Sequence, residues 1–254
     1  MKIVCIGDLE GRTIWKDIIK KENPDLTIFL GDYVASRVVS PKQEVSTLEE
    51  LMEYKEANPD KVILLRGNHD LEALGYSWAA CYPQAPDISK KFIQAHKERF
   101  LNNTQWIYVD EDLKTIFSHA GISQIWINET VEPYLVEGNV GSQYDDGSID
   151  TEIVLKYINT IEPCKVFGFI GDRFDMCGDS KTQSCVWIRP ETLMNCAIPD
   201  WKQIVGHTRT KKIGPVPSDV SNLENPPEIW LCDSLGWRNY LVIEDGEFKP
   251  KGLL

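Results

Sequence analysis

Residues 62–70 read Val-Ile-Leu-Leu-Arg-Gly-Asn-His-Asp. The apolar run from Val62 to Leu65 has the length and composition of a buried strand. Gly67 relaxes the backbone where that strand ends. Asn68, His69 and Asp70 follow at once. Side chains able to bind a metal or move a proton therefore stand just beyond the carboxyl end of a strand, where open α/β sheets hold their ligands.

The same pattern recurs along the chain. Residues 2–6 run into Gly7-Asp8-Leu9-Glu10-Gly11, and residues 26–30 into Gly31-Asp32. Residues 113–117 run into Ser118-His119-Ala120-Gly121, and residues 203–205 into Gly206-His207-Thr208. A lone Asp after a strand is usually a helix cap or a turn residue. Five such placements are different, because the chain has only four histidines and three of them (His69, His119, His207) occupy these positions. Together they point to one shared site. Carboxylate and amide oxygens suit hard divalent cations, and imidazole suits iron, manganese and zinc.

Bulk properties narrow the class. A chain of 254 residues, 42% hydrophobic, fits one large domain over 1–254 with a proper core. The net charge of −12 argues against nucleic acid or an anionic membrane as partner. It leaves a small phosphate ester open, since bound cations reverse the field locally. The start lacks a signal-peptide pattern, and no apolar run approaches about eighteen residues. A soluble, cytoplasmic protein with no membrane partner is expected. Seven scattered cysteines without a Cys-x-x-Cys pair argue against a disulfide scaffold or a zinc ribbon.

The spacing predicts a helix over about 12–22, with Ile14, Trp15, Ile18 and Ile19 on one face, ended at Asn23-Pro24. Residues 36–47 read as irregular, with Pro41, and a second helix is expected over 47–57. This β-α-β-α-β start predicts adjacent parallel strands with right-handed crossovers. It brings Asp8, Asp32 and Asn68 to one edge of one sheet. Helical insertions are expected at about 71–105 and 123–165. The first carries Tyr76, Trp78, Tyr82 and the prolines at 83 and 86, and the second surrounds a solvated loop holding Asp145-Asp146. Residues 106–109 and 113–117 read as a hairpin. The apolar run 165–170 ends in Gly171-Asp172-Arg173, taken as a loop, and Cys177 could meet Cys185 across a hairpin. Strands are expected at 229–232 and 238–243. Parallel units followed by antiparallel strands fit two packed sheets with helices outside.

In chain order, GDLEG (7–11), GDYV (31–34), RGNHD (66–70), SHAG (118–121) and GHT (206–208) resemble the calcineurin-like metallophosphoesterases. The branch of phosphoprotein phosphatases and diadenosine tetraphosphatases is the nearest in pattern. The resemblance implies an α/β four-layer fold, a two-sheet β-sandwich flanked by helices. It implies two divalent metal ions, Mn²⁺ foremost, with Fe, Zn²⁺ or Mg²⁺ as alternatives. Asp32 would bridge them, Asp8 and Glu10 would complete the first site, and Asn68, His119 and His207 the second. It further implies hydrolysis of a phosphate ester by a hydroxide held between the metals, with His69 as proton donor. Arg66 and Arg189 are candidates to grip the phosphate; Arg66 also reads as a scaffold residue. The implied substrates are a small phosphate ester, a dinucleoside polyphosphate or a phosphoprotein.

Three positions depart from the family pattern. Glu10 stands where the family has His, which biases the first site toward Mn²⁺ or Mg²⁺. Ala35-Ser36-Arg37 replaces Asp-Arg-Gly, so the acid that would orient the proton donor is missing, and Asp70 or another acid must serve; Arg37 could stand in for the displaced arginine. Arg209 follows Gly206-His207-Thr208 where a second His is common in the wider superfamily, and it is a possible phosphate contact. Glu10 and Ala35 also support a reading from another class, a non-catalytic relative that keeps a partial metal site and acts as a binding module. The retained His69 favours the enzyme.

Overall fold

In the computed structural model, which describes residues 1–76, 78, 84–138, 151–170 and 179–253, the three early apolar runs become strands β1 (Lys2–Ile6), β2 (Leu26–Phe29) and β3 (Val62–Leu64). They pair in parallel, in that order. Their connections carry helices α1 (Trp15–Glu22) and α2 (Pro41–Ala57). Asn23 closes α1 with a left-handed backbone at φ 43°, a conformation asparagine tolerates. Helix α2 starts six residues earlier than expected. Ser40 caps it by accepting from the Gln43 N–H at 3.3 Å, and Pro41 takes the first helical position, where its missing N–H is not needed. The apolar stripe of α2 begins only at Leu48, so periodicity alone could not detect its first turns.

The second sheet begins with the expected hairpin, β4 (Ile107–Asp110) against β5 (Thr115–Ser118). Strand β6 (Lys202–Val205) lies parallel to β5. A short β7 (Gly214–Pro215) pairs antiparallel with β8 (Ile229–Leu231), itself parallel to β6. The order is β4-β5-β6-β8-β7. The tail returns to the first sheet. Strand β9 (Asn239–Glu244) runs antiparallel to β1, and β10 (Glu247–Gly252) forms the outer edge. Strand β10 was not expected, because Glu247-Phe248-Lys249-Pro250-Lys251 has no apolar run; it is a charged, proline-bearing edge strand. The run 165–170 is no strand either. It makes a 3₁₀ turn at Lys165–Phe167, and Phe167 stacks on Trp106 with ring centroids 3.5 Å apart.

The two sheets meet through alternate residues: Ile3, Cys5, Ile28 and Leu241 of the first share one cluster with Phe117 and Ile204 of the second. The opposite face of the first sheet, with Val4, Ile6 and Phe29, packs on Trp15, Ile18, Leu48 and Leu51 of the helices. Apolar residues thus face inward and outward along β1, which is why its sequence reads as a continuous apolar run. Helices α3 (Asn68–Ala73), α4 (Asp87–Ala95) and α5 (Lys97–Asn103) follow β3. Residues 124–137 are helical with a π-type turn at Ile127–Val131, and a further helix spans Thr151–Tyr157. The result is a two-sheet sandwich flanked by helices. Tyr82 and the proline at 83, the Asp145-Asp146 loop, Gly171-Asp172-Arg173 and Cys177 lie outside the described residues. Among the described residues, no helix is long and apolar enough to cross a membrane.

Candidate metal centre

Both sheets contain a run of parallel strands, β1-β2-β3 and β5-β6-β8. Their carboxyl ends deliver Asp8 and Glu10, Asp32, Asn68 and His69, His119, His207 and Asp233. A cleft of about 280 Å³ is lined by Asp8, Glu10, Asp32, Asn68, His69, His207 and Asp233, with Arg189 and Arg209 beside them. The loops press together closely. A Cβ on Gly67 would overlap the Asp32 carboxylate, and one on Gly206 would overlap that of Asp8. Glu10, Asp32, Ala35 and His207 hold left-handed backbones, φ 44°, 51°, 71° and 59°. Such strain in non-glycine residues persists only where surrounding structure enforces it, and it gathers at functional sites.

Asp32, His119 and His207 each offer a ligand atom within 4.8 Å of the others. His119 is fully buried, and its Nδ1–H donates to the Leu30 carbonyl at 2.7 Å. Its Nε2 lone pair then faces Asn68 Oδ1 at 2.9 Å and Asp32 Oδ2 at 3.5 Å. The Nε2–H of His207 donates to the Trp187 carbonyl at 3.1 Å, which leaves Nδ1 as its free donor atom. Burial lowers the pKa of His119. Burial and then the Arg189 charge hold His207 well below the usual histidine value. Both rings are therefore neutral. Lone pairs of nitrogen and oxygen converge with no proton between them, and a cation is the species that satisfies such a set. Asp8 joins from β1, its Oδ1 accepting from the His207 N–H at 2.9 Å. Burial, then Asp233 and Asp32, push its carboxyl well above the ordinary range, the signature of acids crowded without a counter-charge.

His69 stands at the rim of this set, its Nε2 3.9 Å from Asp32 Oδ2. Its Nδ1 lies 3.5 Å from Glu72 Oε2. Burial opposes the imidazolium, but Asp32, Glu72 and Asp70 hold its pKa up at about 9. Glu72 is itself anchored: it accepts from the backbone N–H of Gln84 (2.8 Å) and Ala85 (3.1 Å), and Lys90 Nζ lies 3.0 Å away. Asp70 has a different task. Its carboxylate accepts from the backbone N–H of Asp32 (2.9 Å), Tyr33 (2.9 Å) and Gly67 (2.8 Å), tying two site loops together. The acid beside His69 is thus Glu72, which the sequence reading missed. Its signal was available, since Glu72 follows His69 by three residues on α3 and so shares its helix face.

The arginines divide. Arg189 lines the cleft, its Nη1 donating to the His207 carbonyl and to Thr208 Oγ1 at 3.3 and 3.1 Å. Arg66 is not brought there, contrary to its expected grip on phosphate. Its guanidinium turns toward α5, donating to Thr104 Oγ1 (2.9 Å), the Thr104 carbonyl (2.7 Å) and the Leu101 carbonyl (2.9 Å). It also lies 4.6 Å over the Trp106 ring. Burial there lowers its pKa to about 10. Arg37 also lines the cleft, and its Nη2 donates to Gln84 Oε1 at 3.2 Å. Arg12 and Arg209 both pair with Glu10, at 2.7 and 2.5 Å, one on each carboxylate oxygen.

Asp233 is the second residue the sequence reading missed, although Ile229-Trp230-Leu231-Cys232 runs into it with the same grammar as the other five strand ends. It is 6% exposed. Its Oδ2 is buried with no hydrogen-bond partner among the described residues. Burial, then Glu10, push its carboxyl to about 7.

Comparison with solved structures finds a similar fold in several proteins. A cold-active protein tyrosine phosphatase aligns with 98% of this chain and 78% of its own, at TM-score 0.53 and 16% identity. A metallophosphoesterase from Sphaerobacter thermophilus aligns over 100% and 90%, at 0.51 and 14%. A protein serine/threonine phosphatase from Saccharomyces cerevisiae aligns over 100% and 80%, at 0.53 and 13%. At such identities the likeness establishes the fold. A search of curated protein sequences finds no match. The sequence profile of the calcineurin-like phosphoesterases matches residues 1–208, a span that holds every strand end of the cleft except that of Asp233. The chain belongs to the calcineurin-like phosphoesterase family.

Proposed function

We propose that the protein is a metal-dependent phosphoesterase that hydrolyses a phosphate ester in this cleft. The observation that carries the reading is the convergence of Asp32, His119 and His207 within 4.8 Å, with neutral imidazoles and no proton between the donor atoms. Asp32, Asn68, His119 and His207 would hold one divalent cation, and Asp8 with Asp32 would contribute to a second. Manganese suits this mixed oxygen and nitrogen set. When bound, such cations supply a nucleophilic water at neutral pH and neutralise the phosphoryl charge.

The chain's own residues do the rest. Arg37, Arg189 and Arg209 line the cleft as candidate partners for an incoming phosphate. His69, with Nε2 turned toward the cleft beside Asp32 and Nδ1 toward Glu72, can give a proton from Nε2 to the departing oxygen. Glu72 faces Nδ1 as an ion-pair partner at 3.5 Å, and so would serve in place of the acid absent at Ala35. No side-chain nucleophile is required. Phosphorylated protein side chains, dinucleoside polyphosphates and small phosphomonoesters are the classes to assay.

The test is hydrolysis of p-nitrophenyl phosphate by metal-stripped protein titrated with Mn²⁺, beside an Asp32→Asn control. Mn²⁺-dependent turnover that the substitution abolishes is expected. No turnover on this substrate, a bis-ester or a dinucleoside polyphosphate would refute the enzyme and leave a binding module in this fold.

A further inference from the structure

We propose that Asp233, rather than Glu10, supplies the third carboxylate of the first cation position, beside Asp8 and Asp32. The inference rests on the metal-dependent reading of the cleft and names a residue beyond the stretch that the family profile matches. Two observations carry it. Both oxygens of Glu10 are engaged by guanidinium groups, those of Arg12 and Arg209. A cation on Glu10 would meet the two guanidinium charges already seated on its oxygens. Asp233 is in the opposite condition. It lines the same cleft, is 6% exposed, and keeps Oδ2 buried with no partner among the described residues.

A buried carboxylate oxygen without a donor is costly, and a cation removes that cost. The backbone brings Asp233 against Gly7, the neighbour of Asp8. The ends of β1 and β8 touch so closely that a Cβ on Gly7 would overlap the Cys232 carbonyl and lie 2.8 Å from the Asp233 Cα. Asp8 is the next residue along. Asp8, Asp32 and Asp233 line one cleft and would together make an all-carboxylate set, which selects a hard cation such as Mn²⁺ or Mg²⁺ over Zn²⁺. The Glu10 pairs then keep Arg209 fixed at the cleft, where it can meet phosphate.

The experiment counts bound Mn²⁺, by calorimetry and by the electron paramagnetic resonance signal of free ion, in metal-stripped full-length protein. The wild-type chain should take up two ions. Asp233→Asn should lose one, or weaken one by at least tenfold, whereas Glu10→Gln should keep two with less than a threefold change. Metal-free Asp233→Asn and Asp233→Ser should melt no lower than metal-free wild type, since the substitution removes an unpaired buried charge, and this separates ligand loss from misfolding. Two ions of wild-type affinity in Asp233→Asn, or loss of an ion in Glu10→Gln alone, would overturn the inference while leaving the phosphoesterase reading intact. A wild-type chain that takes up no Mn²⁺ would overturn both.

Discussion

Replacing Glu72 by Gln tests the link between the cleft's geometry and its chemistry. The substitution keeps the length of the side chain and an oxygen to accept from the Gln84 and Ala85 N–H groups, but it removes the charge facing His69 Nδ1 at 3.5 Å. The side chains of His69 and Glu72 are 16% and 6% exposed, so solvent screens the pair only partly. A contact of a charged group in such a setting is worth about 1.5–3 kcal/mol. If it is expressed wholly in orienting His69 for proton transfer, its loss slows the step by about 10- to 150-fold. The effect should depend on the leaving group. A phenolate that departs readily without a proton, as from p-nitrophenyl phosphate, should be released within about threefold of the wild-type rate. Phenyl or alkyl phosphate should lose the full factor in kcat with KM little changed. Steady-state kinetics across a series of aryl phosphates, with Mn²⁺ saturating, measure this as a steeper dependence on leaving-group pKa. An equal loss for all leaving groups would refute the assignment of His69 as proton donor held by Glu72, and would make Glu72 a structural anchor for residues 84 and 85.

Other outcomes follow from the same geometry. Arg66→Met should lower stability by about 3 kcal/mol, because it strips three hydrogen bonds and a ring contact from a buried cation, while KM stays within about twofold; denaturant melts and kinetics measure the two. Asp70→Asn should cost about 2–4 kcal/mol in the same melts, since the new amide N–H₂ meets backbone donors where an oxygen accepted them. Glu22 accepts from Tyr240 Oη at 2.7 Å and Lys251 Nζ at 2.8 Å; burial opposes its charge, yet these partners and Lys2 hold its pKa below the ordinary 4.5. A lowered folded-state value gives stability that is present above the unfolded value and lost as pH falls through the folded one. The melting-temperature gap between wild type and Glu22→Gln should therefore be full at pH 7 and close as pH falls below about 4. Gly67→Ala should abolish Mn²⁺ uptake in a calorimetric titration, because its Cβ would occupy the space of the Asp32 carboxylate.

The strand ends were legible in the sequence because burial on both faces of a parallel strand leaves an unbroken apolar run, and because Gly-Asp, Asn-His and Gly-His pairs punctuate it. Elements without an apolar signature were not legible. The first turns of α2 are polar, and β10 alternates charge with Phe248 and Pro250, so only Ser40 capping and pairing with β9 reveal them. The apolar run at 165–170 forms a 3₁₀ turn instead of a strand, and Phe167 spends its apolar surface on Trp106.

Within the site, the sequence by itself determined which residues reach the cleft from the strand ends, since each is attached directly to a buried strand whose direction the β-α-β order sets. What each side chain does there was decided only by the tertiary structure. Arg66 turns to α5, Asp70 clamps two loops, Glu72 meets His69, Glu10 pairs with two arginines, and Asp233 closes the cleft from a strand 225 positions after Asp8. These outcomes are set by partners distant in the chain. A charged side chain takes the orientation in which its burial is best compensated, and the groups that compensate it are assembled only when the two sheets pack.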